Sequence, residues 1–274
     1  MCTLNGCGYK QAMPPIEVRE VDRRAFLAGL IGLPLATVLA FPEFARAQAA
    51  KVNSIEIDMP GGGKASGVIA MPETLPAPAV LLIHEWWGLN DQIKAVAAEF
   101  ATLGYIAFAI DLYGGTVATA PHEARALTQA MDPAEATDQL AAAVSFLRDH
   151  TDSTGKVGTI GWCFGGGWSL RASIAAPVDA TVIYYGRVNR SADELSSLSG
   201  PVLGHFGTQD RFINEEMVGG FERAMQAASL GDRFTSHWYI ADHAFANPTG
   251  ARYDEDDAAL AWSRTLTFFA KNLR

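Results

Sequence analysis

The chain of 274 residues has little cysteine, no basic cluster and no long apolar run. Its three cysteines, Cys2, Cys7 and Cys163, are too few and too scattered for a disulfide framework, and no zinc-ligand spacing is present. Lys and Arg number 21 against 30 Asp and Glu, a formal charge of −9, with no clustered stretch of basic residues. That balance argues against a nucleic-acid partner, because phosphate binding rests on clustered Lys and Arg. The apolar run 26–41 holds 16 residues, short of the roughly 20 that a spanning helix needs. No internal repeat and no linker divides the chain. What is present, 49% apolar and 19% charged residues, is an ordinary globular balance that excludes collagen-like and low-complexity classes.

Residues 1–50 read as a targeting segment. Arg23-Arg24 precede the apolar run, and Ala45-Arg46-Ala47 supplies the small-x-small pattern of a cleavage site. The stretch Asp22-Arg23-Arg24-Ala25-Phe26-Leu27 resembles a twin-arginine export signal. An ordinary secretory signal or an uncleaved anchor is the alternative. The expectation is export to a periplasm-like compartment with no stable membrane span after cleavage near Ala47, leaving one domain over 51–274. Cys163 would then be the single thiol of the mature domain. An odd thiol in an exported protein suggests reactivity, although a buried inert cysteine is the common case.

The pattern beyond the leader is that of an open α/β sheet. Residues 53–58 alternate polar and apolar, a glycine-rich turn follows at 60–63, and 65–71 return, which predicts an antiparallel hairpin at a sheet edge. Residues 79–83 form a continuous apolar run, as in a strand buried on both faces. Thereafter strands at 105–110, 157–160, 178–184, 201–206 and 235–240 alternate with helices at 91–103, 121–149 (interrupted at Asp132-Pro133), 165–176, 215–228 and 254–272. Alternation after an antiparallel start predicts a mostly parallel sheet with helices on both faces. In such sheets ligands sit beyond the carboxyl ends of the strands.

The strongest chemical signal is Gly161-Trp162-Cys163-Phe164-Gly165-Gly166, between a strand and a helix. This is the G-x-nucleophile-x-G elbow with cysteine in place of serine. The tight turn has no room for side chains two residues either side of the nucleophile, so glycine is required at 161 and 165. The positive end of the helix dipole would stabilise a thiolate at Cys163, and the Phe164 N–H points to where an oxyanion would form. An elbow demands an acid and then a histidine, in that chain order, at later strand ends. Asp210 follows strand 201–206, and His243 follows strand 235–240.

Other candidates fit less well. His205 lies inside an apolar strand and reads as a core histidine. His122, His150 and His237 have no partner motif. Asp242 adjoins His243 and would point elsewhere, while Asp111 precedes the nucleophile and reads as a loop cap. The segment His84 to Asn90 follows strand 79–83, where such folds supply a second oxyanion N–H. Glu85 within it is either a surface carboxylate or one close enough to influence Cys163.

With these residues in view, the chain resembles the dienelactone hydrolase family of α/β-hydrolases. The resemblance is carried by His84 to Asn90, Asp111-Leu112-Tyr113, Gly161 to Gly166, Tyr184-Tyr185-Gly186, Gly207 to Asp210, and His243 to Ala246. Cysteine in the elbow together with the E-x-x-G-x-N segment marks that family. The resemblance implies Cys163 as nucleophile, His243 as base and then acid, and Asp210 as its orienting partner. It implies that Glu85 contacts the resting thiol and moves when substrate binds, and that the Trp86 and Phe164 N–H groups form the oxyanion hole. Trp87, Tyr113, Tyr184, Tyr185, Phe245 and Asn247 are the expected pocket residues. Two departures stand out. Family members that cleave dienelactone hold its carboxylate with an arginine soon after the D-L-Y segment and another four residues after the histidine. Here Gly114-Gly115 and Asn247 stand there. Loss of both removes a bidentate carboxylate fork, and Arg187, Arg211 and Arg252 are the candidates to replace it.

The expected activity is hydrolysis of a small ester or lactone through a Cys-His-Asp triad and an acyl-enzyme, with no metal or organic cofactor. Hydrolysis of a thioester or activated amide uses the same constellation. A non-catalytic alternative is small-molecule binding or redox sensing by the elbow thiol, which predicts sulfenic acid formation without turnover.

Overall fold

A computed structural model of the protein describes residues 41–274. Cys2, Cys7 and the paired arginines of the leader lie outside the described residues. The first described element is helix α1 (Pro42–Ala49), which starts on a proline, packs on the neighbouring helix α2 (Asp91–Thr102) and buries Ala45 in the core layer that α2 shares, while Phe44 is buried beside Phe41 and Ala47. Arg46 Nε lies 3.7 Å from Asp91 Oδ2 across that contact. Structure therefore begins before residue 51, and the Ala45-Arg46-Ala47 pattern sits in a helix packed on the domain.

Eight strands form one sheet in the order β1-β2-β4-β3-β5-β6-β7-β8. The strands are β1 (Asn53–Asp58), β2 (Lys64–Ala70), β3 (Ala77–Ile83), β4 (Ile106–Asp111), β5 (Ser153–Trp162), β6 (Ala180–Tyr184), β7 (Val202–Gly207) and β8 (Phe234–Tyr239). β1 pairs antiparallel with β2, and β2 antiparallel with β4. Every other pairing is parallel. The edge hairpin and the parallel remainder agree with the sequence reading, and the arrangement is an α/β-hydrolase fold.

The sheet is covered on both faces, and β3 shows why its sequence is apolar throughout. Val80 and Leu82 enter a core layer with Val96 and Phe100 of α2 and Phe269 of the terminal helix α8 (Glu255–Leu273). Ala79, Leu81 and Ile83 enter the opposite layer with Leu140 and Leu147 of α4 (Pro133–Asp149), the helix that follows α3 (Pro121–Ala130). Side chains alternate across a strand, so a strand buried on both faces has no polar positions. Helix α4 begins as its sequence implies: Pro133 is its first residue, and Asp132 Oδ1 accepts from Ala134 N at 2.7 Å. Gly104, at φ +85°, follows the end of α2.

Three differences from the sequence reading have simple causes. β5 begins at Ser153 rather than 157, because Ala77 of β3 pairs with Ser153 and extends the ladder into a half-exposed, polar segment. Helices α1 and α6 (Ala192–Leu195) were not expected, the latter being a single capped turn begun by Ser191. Their short sequences carry too few turns for a periodic signal. Among the described residues no helix is long and apolar enough to cross a membrane.

Candidate active site

The nucleophile elbow is built as the glycine spacing requires. Cys163 joins β5 to helix α5 (Phe164–Ala175) with φ +54° and ψ −113°, in a region that side chains rarely occupy. A Cβ on Gly161 would lie 2.0 Å from the Gly165 carbonyl oxygen, and one on Gly165 would lie 2.2 Å from the Ile83 carbonyl oxygen. Both glycines are therefore fixed by backbone contacts that a side chain would destroy. The strained turn lifts the Cys163 sulfur, half-buried, above the carboxyl edge of the sheet.

The three residues expected from chain order meet there. His243 Nε2 lies 3.0 Å from Cys163 Sγ, and His243 Nδ1 lies 2.6 Å from Asp210 Oδ2. Asp210 Oδ1 accepts from the N–H groups of Phe212 and Ile213, at 2.7 and 3.0 Å. With one oxygen fixed by the loop, the other presents a set direction to the imidazole. Burial opposes the ionised form of Asp210, but His243 and the two backbone donors outweigh it and hold the carboxyl below its ordinary value. Burial likewise opposes a charged His243. The neighbouring Cys163 sulfur and the bond to Asp210 prevail, and its pKa is raised to about 10. The imidazole thus lies between two groups that favour its protonated form.

The segment 84–90 frames the other side. Gly88 has φ +93°, and a Cβ there would lie 2.4 Å from the Thr116 carbonyl oxygen. Asn90 caps α2 by accepting from Ile93 N at 3.1 Å. Sequence reasoning did not single out His84, which is fully buried. Its Nδ1 lies 2.6 Å from the Glu85 carbonyl oxygen, and its Nε2 accepts from Leu112 N at 3.1 Å. A neutral ring donating at Nδ1 and accepting at Nε2 satisfies both contacts, and burial lowers the His84 pKa in keeping with that form. His84 therefore ties the loop carrying Trp86 to the loop after β4. Among the described residues, no group accepts from the N–H of Trp86 or of Phe164.

Glu85 departs from the expectation. Its Oε2 accepts from Asn247 Nδ2 at 3.0 Å, and no hydrogen bond joins it to Cys163 among the described residues. The physical reason is local. Asn247 offers a neutral donor to the carboxylate, its one side-chain hydrogen-bond partner among the described residues. Burial raises the Glu85 pKa to about 7, against the pull of His243, Asn247 and Arg252.

The remaining candidates divide. A cleft of 890 Å³ holds Cys163, His243, Glu85, Trp87, Tyr185 and Asn247. Three expected pocket residues lie outside its wall. Tyr113 packs behind Phe164 and His84, with its hydroxyl 3.0 Å from Thr128 Oγ1. Phe245 is fully buried between Tyr185 and Tyr239. Tyr184 lines a neighbouring apolar cavity of 430 Å³, and its hydroxyl meets Thr265 Oγ1 at 2.7 Å. The aromatic character of Tyr113 and Phe245 serves packing, which a sequence does not distinguish from lining. Phe212, 67% exposed, stands at the mouth with its ring 5.7 Å from that of His243, and was not anticipated.

Of the rejected candidates, His205 and Asp111 behave as expected, whereas Asp242 lines the cleft but meets the backbone N–H of His243 rather than its imidazole. His205 is satisfied in the core by Tyr239 and Thr265, at 2.8 and 3.1 Å. Asp111 accepts from Tyr113 N and Gly115 N in its own loop. Asp242 accepts from His243 N and faces Arg252 at 3.5 Å. Among the described residues, no group of three or more His, Cys, Asp or Glu is disposed to hold a metal ion.

The model of the Dienelactone hydrolase family matches residues 65–273. The chain belongs to this family. It is 30% identical over 229 residues to a carboxymethylenebutenolidase of Pseudomonas putida, covering 80% of this chain and 96% of that protein. It is 31% identical over 224 residues to Protein usf of Aquifex pyrophilus, covering 77% and 95%. A solved structure titled as the dienelactone hydrolase-like promiscuous phosphotriesterase P91, from metagenomic libraries, aligns with TM-score 0.72 at 24% identity. It covers 82% of this chain and all of that one, a likeness of fold. Arg187, Arg211 and Arg252 all line the cleft around Cys163.

Proposed function

We propose that this protein hydrolyses a small ester or lactone through Cys163, His243 and Asp210 by way of an acyl-enzyme. The observation that carries the reading is the unbroken line from Sγ to the imidazole to the carboxylate, at 3.0 and 2.6 Å, in a cleft open to a small molecule. Its membership of a family that includes carboxymethylenebutenolidases supports the acyl chemistry.

His243 takes the thiol proton and the sulfur attacks the carbonyl carbon, forming a C–S bond. The oxygen that gains the electron pair is received by the N–H groups of Trp86 and Phe164. On collapse the ester C–O bond breaks, and His243 gives its proton to the departing alkoxide. Water, deprotonated by His243, then attacks the thioester carbonyl. The C–S bond breaks, and acid and thiol are released. Asp210 fixes the imidazole orientation and stabilises its charge. Glu85 is bonded to Asn247, and among the described residues His243 is the hydrogen-bond partner of the sulfur. No step calls for a metal or organic cofactor.

Hydrolysis of 4-nitrophenyl acetate by Cys163→Ala protein tests this reading. A loss of at least ~10³-fold is expected, as for removal of a triad nucleophile, with a thioester adduct on Cys163 trapped by mass spectrometry in the parent protein. Near-normal turnover in the variant refutes it. Absent turnover with rapid sulfenic acid formation at Cys163 would favour redox sensing instead. A panel of esters, lactones, thioesters and activated amides separates the acyl classes.

The leader's likeness to a twin-arginine signal supports export as part of the same proposal. Fractionation of tagged full-length protein is expected to place it outside the cytoplasm, shortened near Ala47. Unprocessed protein confined to the cytoplasm overturns that part.

A further inference from the structure

The cleft around Cys163 is basic in an acidic chain. Against a formal charge of −9, its wall includes Arg125, Arg171, Arg187, Arg190, Arg211 and Arg252, with Glu85 and Asp242 as its carboxylates. Neither carboxylate is available to most of these arginines. Glu85 is bonded to Asn247, and Asp242 faces Arg252.

Three of the arginines gather along α5, the helix that starts at the nucleophile. The Arg187 backbone oxygen lies 3.2 Å from where a Cβ on Gly167 would be, so the residue sits against the first turn of α5. Arg171 lies one turn further on. Its guanidinium stacks over Trp168 at 5.1 Å, and its Nε donates to Thr137 Oγ1 at 2.8 Å. Both its Nη groups lack a partner among the described residues, and Arg187 forms no hydrogen bond or ion pair there. Arg190 Nε is 3.9 Å from Glu194 Oε1, its one ion-pair partner among the described residues, and its Nη1 donates to the Asn189 carbonyl oxygen at 3.1 Å. Burial lowers the Arg190 pKa, and the like charges of Arg171 and Arg187 lower it further, with Glu194 opposing. The three guanidinium groups therefore share one field. One carboxylate against three leaves an unneutralised surplus near two positive charges.

We propose that Arg171, Arg187 and Arg190 form an anion subsite of the cleft that takes a doubly charged group, a phosphate monoester or a pair of carboxylates, carried by the ester remote from its scissile carbonyl. The claim rests on the ester hydrolase reading above and deepens it. A dianion matches the surplus charge, and guanidinium forks match the geometry of phosphate and carboxylate oxygens. Stacking on Trp168 holds Arg171 in place before a ligand arrives, which reduces the ordering cost of binding. The subsite is formed by side chains other than those at the two vacated positions, 114–115 and 247.

The test compares kcat/KM for four esters: neutral 4-nitrophenyl butanoate, singly charged 4-nitrophenyl hydrogen glutarate, the mono-4-nitrophenyl ester of tricarballylic acid with two free carboxylates, and 4-acetoxyphenyl phosphate. At least one dianionic ester is expected to exceed the neutral one by about tenfold, and its preference to fall with added salt. Arg187→Gln and Arg171→Gln should each lower the dianion-to-neutral ratio by about fivefold or more. Arg223→Gln, on the surface of helix α7 (Glu215–Ala227), should leave the ratio unchanged. The two dianions distinguish carboxylate from phosphate. Equal or better turnover of the neutral ester, or a ratio indifferent to both cleft variants, overturns the proposal. Should no ester be hydrolysed, the ester hydrolase reading fails and calorimetry with tricarballylate and phenyl phosphate decides the subsite. Binding weakened about fivefold by Arg187→Gln sustains it, and no binding of either anion sinks it.

Discussion

Asn247 donates from Nδ2 to Glu85 Oε2 at 3.0 Å, joining two residues 162 positions apart in the chain. The bond holds a buried carboxylate beside the proposed nucleophile but off its sulfur. It gives the Glu85 charge one neutral donor, too little to offset its burial, and so the carboxyl is left titrating at about 7.

Asn247→Leu should push that titration upward. The amide stabilises the ionised form, and its loss favours the neutral acid. Infrared difference spectra of the Glu85 C=O stretch are expected to show a midpoint above that of the parent protein. An unchanged midpoint would show that the amide does not hold the carboxylate in solution.

Glu85→Gln should stabilise the protein, and more so at higher pH. The folded-state pKa of about 7 lies above the unfolded value of 4.5. The folded protein therefore binds the proton more tightly, and stability falls as pH rises from 4.5 through 7 before levelling. Glutamine removes that loss. The gain is expected to be on the order of 3 kcal/mol at pH 8 and to vanish toward pH 4.5, read from urea unfolding at each pH. A gain independent of pH would mean that the carboxyl does not titrate in this range.

Asp210→Asn should lower kcat/KM by ~10³–10⁴-fold while leaving the fold intact, as orientation and charge at the imidazole are lost together. The His243 pKa, about 10 beside the carboxylate, should fall because a supporting negative charge has gone. Imidazole proton resonances titrated in both proteins check the direction.

His84→Ala should be costly to both stability and rate. It strips partners from the Leu112 N–H and the Glu85 carbonyl oxygen. It also leaves a cavity, for a combined loss of about 2–5 kcal/mol. Because the Trp86 N–H rides on that loop, kcat should fall by roughly 10–100-fold with a smaller change in KM. Unaltered kcat in a destabilised protein would confine His84 to a structural role.

Much of this was legible in the chain because it depends on local chemistry. Alternating and continuous apolar runs placed the strands, and Asp132-Pro133 marked the break between α3 and α4. The elbow declared itself because Gly161 and Gly165 are required by a turn only five residues long. The pocket residues were harder. Tyr113 and Phe245 have the composition of a lining, yet they pack against Thr128 and Tyr239, and Tyr184 lines a neighbouring cavity rather than the cleft, with its hydroxyl on Thr265. An aromatic ring's direction is set by what packs on its strand or loop from distant elements, which residue type does not encode.

The sequence by itself determined the alternation of strand and helix, the glycine-flanked turn and the order cysteine, aspartate, histidine, because each follows from backbone sterics and local periodicity. Tertiary structure alone decided that Glu85 would meet Asn247, that His84 would tie two loops together, and that Arg171, Arg187 and Arg190 would gather along one helix. Those are meetings between side chains far apart in the chain, and only the closing of the sheet brings their charges within range of one another.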